Sequence, residues 1–421
     1  MLRSALPQYS ARVPLLGMYL LTDFLVFNFI RDVSPSLPKP FKGLLTALWW
    51  MPVVLFISFL LIASFIPLPE WNGFWKVYLP GFALMTMLAK FILFVFLVLP
   101  LILVIVRRLL RNKVSFGYRY VYLEKFLKRM AIILGSLAFV GLFIGSIHWV
   151  SKFKVRELEL VIEDLPDALE GKRIVQISDI HLGSWMTTKP IEKAVSMVNE
   201  LNPDLVLFTG DMVNFSATET KGFEVLGNIR SKYGVYAILG NHDYGDYVKW
   251  EDSASKAEDF KILENFYKTI GWKLLRNEHK VIELDSATIL LGGVENWSAT
   301  QRFHRYGDMV KTMKNAPVAD VNILMSHDPT HWEAEIIESY PQFDITLSGH
   351  THGMQIGFEG LGLKWSPSQY IYKNWGGLYK RKSSRGIESK LYVNLGLGHI
   401  AYPGRVGILP EITLITLTGK N

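Results

Sequence analysis

The 421-residue chain has no cysteine. That excludes disulfides and thiolate metal ligands, so any metal site must use oxygen and imidazole donors; it says little about compartment. Charge is also sparse, at 20% of residues against 50% hydrophobic. Acids are scarcest at the start: residues 1–150 hold 15 Lys/Arg and 4 Asp/Glu, a balance of +11, whereas the rest hold 30 and 34, a balance of −4. The formal charge of +7 therefore belongs to the N-terminal part, and nucleic-acid binding is not expected. There is no internal repeat and no low-complexity segment.

The N-terminal part has long apolar runs instead. No charge falls between Lys42 and Glu70, which clears the roughly 20 apolar residues that span a bilayer. Residues 130–150 form a second clean run, and residues 77–106 a third with one internal Lys90. Residues 12–30 form a weaker fourth, broken by Asp23. The pattern predicts an α-helical membrane segment of about four spans over residues 1–150, and a separate domain over 151–421. Several spans in succession with no small-residue cleavage site fit an anchor, not a cleaved leader.

The stretch between the last two runs carries Arg107, Arg108, Arg111, Lys113, Arg119, Lys125, Lys128 and Arg129 against a single acid, Glu124. Loops rich in Lys and Arg stay in the cytoplasm. The last span then leads outward, which predicts a multi-pass cytoplasmic-membrane protein with residues 151–421 outside the cytoplasm. Asp23 and Lys90 read as functional membrane charges, as snorkelling side chains or as an interhelical pair.

From Lys154 the texture changes to short apolar strands alternating with helical stretches at 189–204 and around 219–231, the pattern of stacked β-α units. The strands "IVQIS", "LVLF", "VYAIL", "NILMS" and "ITLS" are joined by enough others to predict two packed sheets with helices outside. Polar residues recur at their carboxyl ends, where loops converge over a sheet edge and ligands bind. Asp179 and His181 follow the first, Asp211 the second, Asn241, His242 and Asp243 the third, His327 the fourth, and His350 and His352 the fifth. Alternate residues of an extended segment point the same way, so Asp-x-His and His-x-His can each face one ion. Oxygen and imidazole donors without thiolate suit Mn, Fe or Zn. Gly210, Gly240 and Gly349 each precede a candidate ligand, where a missing Cβ lets the backbone turn sharply. Any one of these pieces alone reads as a satisfied turn; the ordered set does not.

That set, "DIH", "GD", "GNHD", "SHD" and "GHTH", resembles the calcineurin-like metallophosphoesterase superfamily, over roughly residues 155–415. The ending "LYVNLGLG" with "PGRVGILPEITLITL" resembles its membrane-associated bacterial phosphodiesterase branch. The resemblance implies a four-layer α/β/β/α sandwich and two divalent metal ions. Asp179, His181 and His352 would hold the first, Asp211 would bridge, and Asn241, His327 and His350 would complete the second. His242 would stand beside them as phosphate contact or acid, oriented through its other ring nitrogen by Asp243. Two such cations neutralise a phosphate ester and activate a water.

The implied function is hydrolysis of a phosphodiester or pyrophosphate, lipid-linked substrates included, with membrane lipid as the other partner and no obligate protein partner. The competing reading is a membrane sensor that binds metal or phosphate without turnover. Four features stay open between a functional and a bland role: Asn214, as phosphate contact or turn cap; Arg405, as anion site or surface residue; His331 and His399, of which at most one is expected in the cleft; and the aromatic-basic stretch "YKNWGGLYKRKSSRG", as bilayer contact or solvated loop.

Overall fold

The computed structural model of the chain describes residues 17, 20, 21, 23–28, 38–63, 65, 66, 70–110, 118–300 and 302–420. It divides into two compact units, one of residues 1–147 with 401–404, the other of residues 148–400 with 405–421.

In the first unit, α1 (Lys39–Ala63), α2 (Gly73–Leu110) and α3 (Tyr118–Ile147) are each long and apolar enough to cross a membrane. Large apolar side chains point outward on all three, among them Leu44, Val54, Phe91, Leu99, Leu137 and Ile147. Helices apolar all round with an exposed apolar surface suit hydrocarbon, not water. The weaker run at 12–30 falls mostly outside the described residues; those of it that are described are helical. Within this unit Lys90 Nζ lies 3.0 Å from Asp23 Oδ2 and 2.6 Å from the Trp49 carbonyl. The two membrane charges are an interhelical pair.

The second unit is built on two six-stranded sheets. Its strands are β1 (Lys154–Ile162), β2 (Arg173–Ile177), β3 (Leu205–Phe208), β4 (Val235–Ala237), β5 (Lys273–Leu274), β6 (Glu278–Leu284), β7 (Ala287–Gly293), β8 (Val321–Met325), β9 (Ile345–Ser348), β10 (Phe358–Gly360), β11 (Leu363–Trp365), β12 (Gly377–Lys382), β13 (Glu388–Val393) and β14 (Glu411–Gly419). The first sheet runs β1-β14-β2-β3-β4-β5 and the second β12-β13-β9-β8-β7-β6; β10 and β11 form a separate hairpin. In the first sheet only β14 and β2 pair antiparallel, so β2, β3 and β4 point the same way. In the second, β7, β8, β9 and β13 run parallel.

Alternation along these strands builds the layers. Ile174, Leu205, Leu207, Ile289, Leu291, Ile323, Ile345 and Leu347 fill the space between the sheets. The intervening Val175, Ile177, Val206 and Phe208 face α4 (Lys189–Glu200) and α5 (Ser253–Thr269). Each such buried side chain contributes about 1.5–3 kcal/mol of hydrophobic stabilisation. Helix α4 supplies Ile191, Ala194, Val195 and Val198, the one-sided spacing of an amphipathic helix. Across the second sheet, Leu324, Leu391 and Val393 pack on Trp332, Ile336 and Phe343. The order is helix, sheet, sheet, helix, with both sheets mixed.

The helix expected around 219–231 is instead two short 3-10 turns, Ala217–Thr220 and Glu224–Asn228. Gly222 adopts a positive φ of 86° between them, which breaks helical continuity, and the Glu219 carboxylate takes the N–H of Asn214 at 2.6 Å.

Candidate metal centre

The five parallel-strand ends deliver their polar residues to one place. Asp179, His181, Asp211, His350 and His352 all have φ between +49° and +73°, a left-handed conformation that non-glycine residues adopt at a cost and that clusters at functional sites. The turns are possible because glycines leave room. A Cβ on Gly240 would fall 2.1 Å from Asp211 Oδ1, and one on Gly349 would fall 2.2 Å from Asp179 Oδ2.

Two donor groups result, each with its ligand atoms within 4.8 Å of one another: Asp179, His181 and His352, and Asp211, His327 and His350. In the first, His352 Nε2 is 3.0 Å from His181 Nε2 and 3.3 Å from Asp179 Oδ1. In the second, His327 Nε2 lies 3.2 Å from Asp211 Oδ2, 3.2 Å from Asn241 Oδ1 and 3.3 Å from His350 Nδ1. Asp211 Oδ2 also lies 3.6 Å from His181 Nε2, so this carboxylate stands between the groups.

Backbone carbonyls set the ring orientations. His181 Nδ1 faces the Val213 carbonyl at 3.2 Å and His327 Nδ1 the Thr209 carbonyl at 2.7 Å. A carbonyl only accepts, so each Nδ1 carries a proton and each Nε2 is turned to the centre. Asn241 donates from Nδ2 to the Tyr247 hydroxyl at 2.6 Å, which leaves its Oδ1 facing inward. His350 Nε2 meets the Tyr372 hydroxyl at 2.8 Å, so its Nδ1 faces the cluster.

The donor chemistry fits cations. Asp211 Oδ2, Asn241 Oδ1 and His350 Nδ1 converge on His327 Nε2. Within the polypeptide alone, the nearby Asp211 carboxylate overrides burial and pushes the His327 imidazole up to about 10. Burial pushes the Asp179 carboxyl up to about 7, aided by Asp211, and the His181 imidazole down to about 3. Charge of either sign is expensive here without a partner. A divalent cation in each group would satisfy these atoms, with Asp179, His181 and His352 holding one, Asn241, His327 and His350 the other, and Asp211 shared.

His242, like His350, is partly buried. Its backbone N–H donates to Asp211 Oδ1 at 2.9 Å, and its ring lies 5.0 Å from that of His181 and 4.4 Å from that of Tyr247. The expected bond from its ring to Asp243 is not formed. Nδ1 faces the Asn214 carbonyl at 2.8 Å. Asp243 instead accepts four backbone N–H groups: Asp211 and Gly240 on Oδ2 at 3.0 and 2.9 Å, Met212 and Val213 on Oδ1 at 2.8 and 3.2 Å. Its carboxylate turns away from the ring because those amides, left unpaired by two sharp turns, surround it.

The remaining alternatives resolve in the same way. Arg405 is fully buried and donates to the carbonyls of His352, Gly396 and Gly398 at 3.1, 3.1 and 2.5 Å; it is neither an anion site nor a surface residue. Asn214 uses its side-chain amide on Ser184 Oγ at 2.8 Å, and its carbonyl is what touches His242. His331 stacks on Trp297 and bonds Ser326 and Glu335. His399 packs on Trp185. Both lie outside the donor groups. Asp246 pairs with Lys256 and Tyr306 as a loop anchor.

Three nearby residues were not expected at the metal centre. Asp328 Oδ2 is buried without a hydrogen-bond partner, 3.7 Å from His350 Nε2; its place in "SHD" was the signal. Tyr247, in the stretch after "GNHD", had a similar signal. Tyr372 had none.

Residues 172–354 match the family model described as calcineurin-like phosphoesterase. Among similar proteins is a transmembrane protein with metallophosphoesterase domain from Danio rerio, 31% identical over 68% of this chain and 61% of its own length. This chain thus spans about three fifths of that relative. Another is an uncharacterized metallophosphoesterase, YkuE, of Bacillus subtilis, 30% identical over 71% of this chain and 98% of its own length. A solved sulfate thiohydrolase, SoxB, of Thermus thermophilus aligns over 61% of this chain and 58% of its own, at 12% identity and a TM-score of 0.33, too weak a likeness to carry an argument. With the family's domain matched and a near-full-length relative at this identity, the chain belongs to the calcineurin-like phosphoesterase family.

Proposed function

We propose that this protein is a membrane-anchored, metal-dependent hydrolase of phosphate esters, acting on phosphodiester or pyrophosphate bonds. The observation that carries the reading is Asp211, whose one carboxylate faces an imidazole of each donor group and also accepts the N–H of His242. When bound, a pair of divalent ions would neutralise the anionic ester and lower the pKa of an attacking water.

The chain's own residues supply the rest. Asp211 fixes the spacing between the two groups. His242, with Nδ1–H committed to the Asn214 carbonyl, has Nε2 left to hold a proton for the leaving oxygen or to donate to a phosphate oxygen, general-acid work suited to an imidazole. Asp243 holds the amides of residues 211–213 and 240 in one arrangement, and so positions Asp211 and His242 together.

The Lys/Arg-rich stretch at 107–129, from the end of α2 to the first turns of α3, favours the cytoplasmic side of the membrane. It supports a cytoplasmic-membrane location with the phosphoesterase domain outside the cytoplasm. This orientation does not depend on the first apolar run. A C-terminal alkaline-phosphatase fusion should be active; an inactive fusion beside an active cytoplasmic reporter reverses the orientation.

The purified chain, assayed on bis(p-nitrophenyl) phosphate with Mn²⁺, should hydrolyse it, and the Asp211→Ala and His242→Ala variants should not match it. Metal binding with no turnover above those variants would leave only the sensor reading.

A further inference from the structure

The hairpin of β10 and β11 leaves the metal loop six residues after His352. Its register pairs Phe358 with Trp365, Glu359 with Lys364 and Gly360 with Leu363. Successive residues of a strand face opposite sides, so the two faces differ completely. The polar one is fastened to the domain: Glu359 pairs with Arg156, and Lys364 donates to the Gly376 carbonyl at 2.6 Å over the Trp375 ring. The other carries Phe358, Leu363 and Trp365, all exposed.

The tip is stranger. Leu361 and Gly362 have φ of 53° and 76°, the two positive values of a type I′ turn, which favours Asn-Gly. A leucine there adopts a conformation its side chain disfavours, and at 96% exposure it buries nothing within the domain. Conformation and solvent both oppose it. Met354, Tyr370 and Ile371 extend the exposed apolar surface.

Charge says what covers it. The phosphoesterase domain is net acidic, yet residues 353–387 carry six Lys/Arg against one acid, Glu359, which Arg156 neutralises. On β12, Leu378, Lys380 and Lys382 share the exposed side. Lys373 and Arg381 pair with Glu333, whereas Lys380 and Lys382 stand exposed on β12. An exposed apolar tip with Trp, Tyr and Phe beside it and exposed bases on β12 matches an anionic bilayer, where aromatics sit at the interface and bases meet headgroups. The chain already carries three helices of membrane-spanning length.

We infer that the β10–β11 hairpin, with residues 370 and 371, is a membrane-docking wedge that enters an anionic lipid surface and presents lipid headgroups to the metal centre. The wedge borders that centre closely. Ile371 is exposed while the next residue, Tyr372, touches the candidate ligand His350 at 2.8 Å. The substrate class is then a phosphoester of a lipid headgroup, a step that rests on the hydrolase reading above; the docking itself does not.

The absence of native cysteine makes the test clean. The full chain bearing Leu361→Cys, labelled with an environment-sensitive fluorophore, is placed in phosphatidylcholine–phosphatidylglycerol nanodiscs. Emission should shift to the blue and fall at least twofold with doxyl-labelled lipid. The same label at Val318→Cys, fully exposed in the loop three residues before β8, should do neither. Lys380→Glu with Lys382→Glu should weaken the quenching. An unshifted, unquenched label at 361 overturns docking, as does a signal that follows protein dilution and marks contact between copies. In turnover, Leu361→Asp with Leu363→Asp should lower the ratio of lipid-ester to soluble-ester rates about tenfold. An unchanged ratio overturns the substrate class. No turnover of either ester, with quenching intact, sinks the hydrolase reading and leaves docking standing.

Discussion

The backbone N–H of His242 donates to Oδ1 of Asp211 at 2.9 Å, while Oδ2 of the same carboxylate faces the imidazoles of His181 and His327. The candidate acid and the shared candidate ligand are thereby tied without either side chain touching the other. Their removal should separate. Asp211→Ala is expected to reduce bound metal, read by mass spectrometry of the purified protein, and to abolish hydrolysis. His242→Ala should keep the metal and lower kcat by about 10²–10⁴, with the larger loss on esters of poor leaving groups.

Asp243 should behave differently from His242. Asparagine would turn an amide NH₂ toward two of the four N–H groups that the carboxylate now accepts. Asp243→Asn is expected to cost about 2 kcal/mol or more in denaturant unfolding, and to lower rates on all esters alike. A loss confined to poor leaving groups, at unchanged stability, would return Asp243 to the role of His242's direct partner.

Metal affinity should fall with acid in a defined window. The folded Asp179 carboxyl, raised to about 7 by burial and by Asp211, holds a proton below that pH that a cation must displace. Its raised value means the metal-free fold is favoured by that proton at low pH and loses the contribution as pH rises toward 7. Mn²⁺ binding should therefore weaken by about tenfold per unit as pH drops from 7 toward the ordinary carboxylate range near 4. Titration calorimetry at three pH values checks the slope; a flat affinity across 5–7 contradicts it.

A single methyl group at Gly240 meets Asp211 Oδ1 at 2.1 Å and the Asp211 backbone N at 2.6 Å. Gly240→Ala is expected to cost about 1–3 kcal/mol and to lose metal. Gly141, in α3, has nothing within 4 Å of an added Cβ, so Gly141→Ala should leave stability within about 1 kcal/mol. Thermal unfolding with and without Mn²⁺ compares the two.

Strand-end position makes much of this protein legible in its sequence. A short apolar strand followed by Asp, Asn or His can be read directly, and five of them in order identify the donors; their division into two groups is what the family resemblance implies. The membrane runs were equally plain, since length without charge is a one-dimensional property. The stretch at 219–231 misled because its apolar residues look helical, whereas Glu219 and Gly222 act through hydrogen bonding and φ, neither of which periodicity reports.

The sequence by itself determined the family, the donor types and the membrane segment, because those follow from residue identity and spacing along the chain. Only the tertiary structure decided which ring nitrogens face inward, that the Asn214 carbonyl holds His242, that Asp243 serves backbone amides, that Arg405 is buried beneath His352, and that one face of an eight-residue hairpin is bare. Carbonyls and amides are the same at every residue, and two strands of three residues each carry no period. What they do depends on which neighbours the fold brings to them.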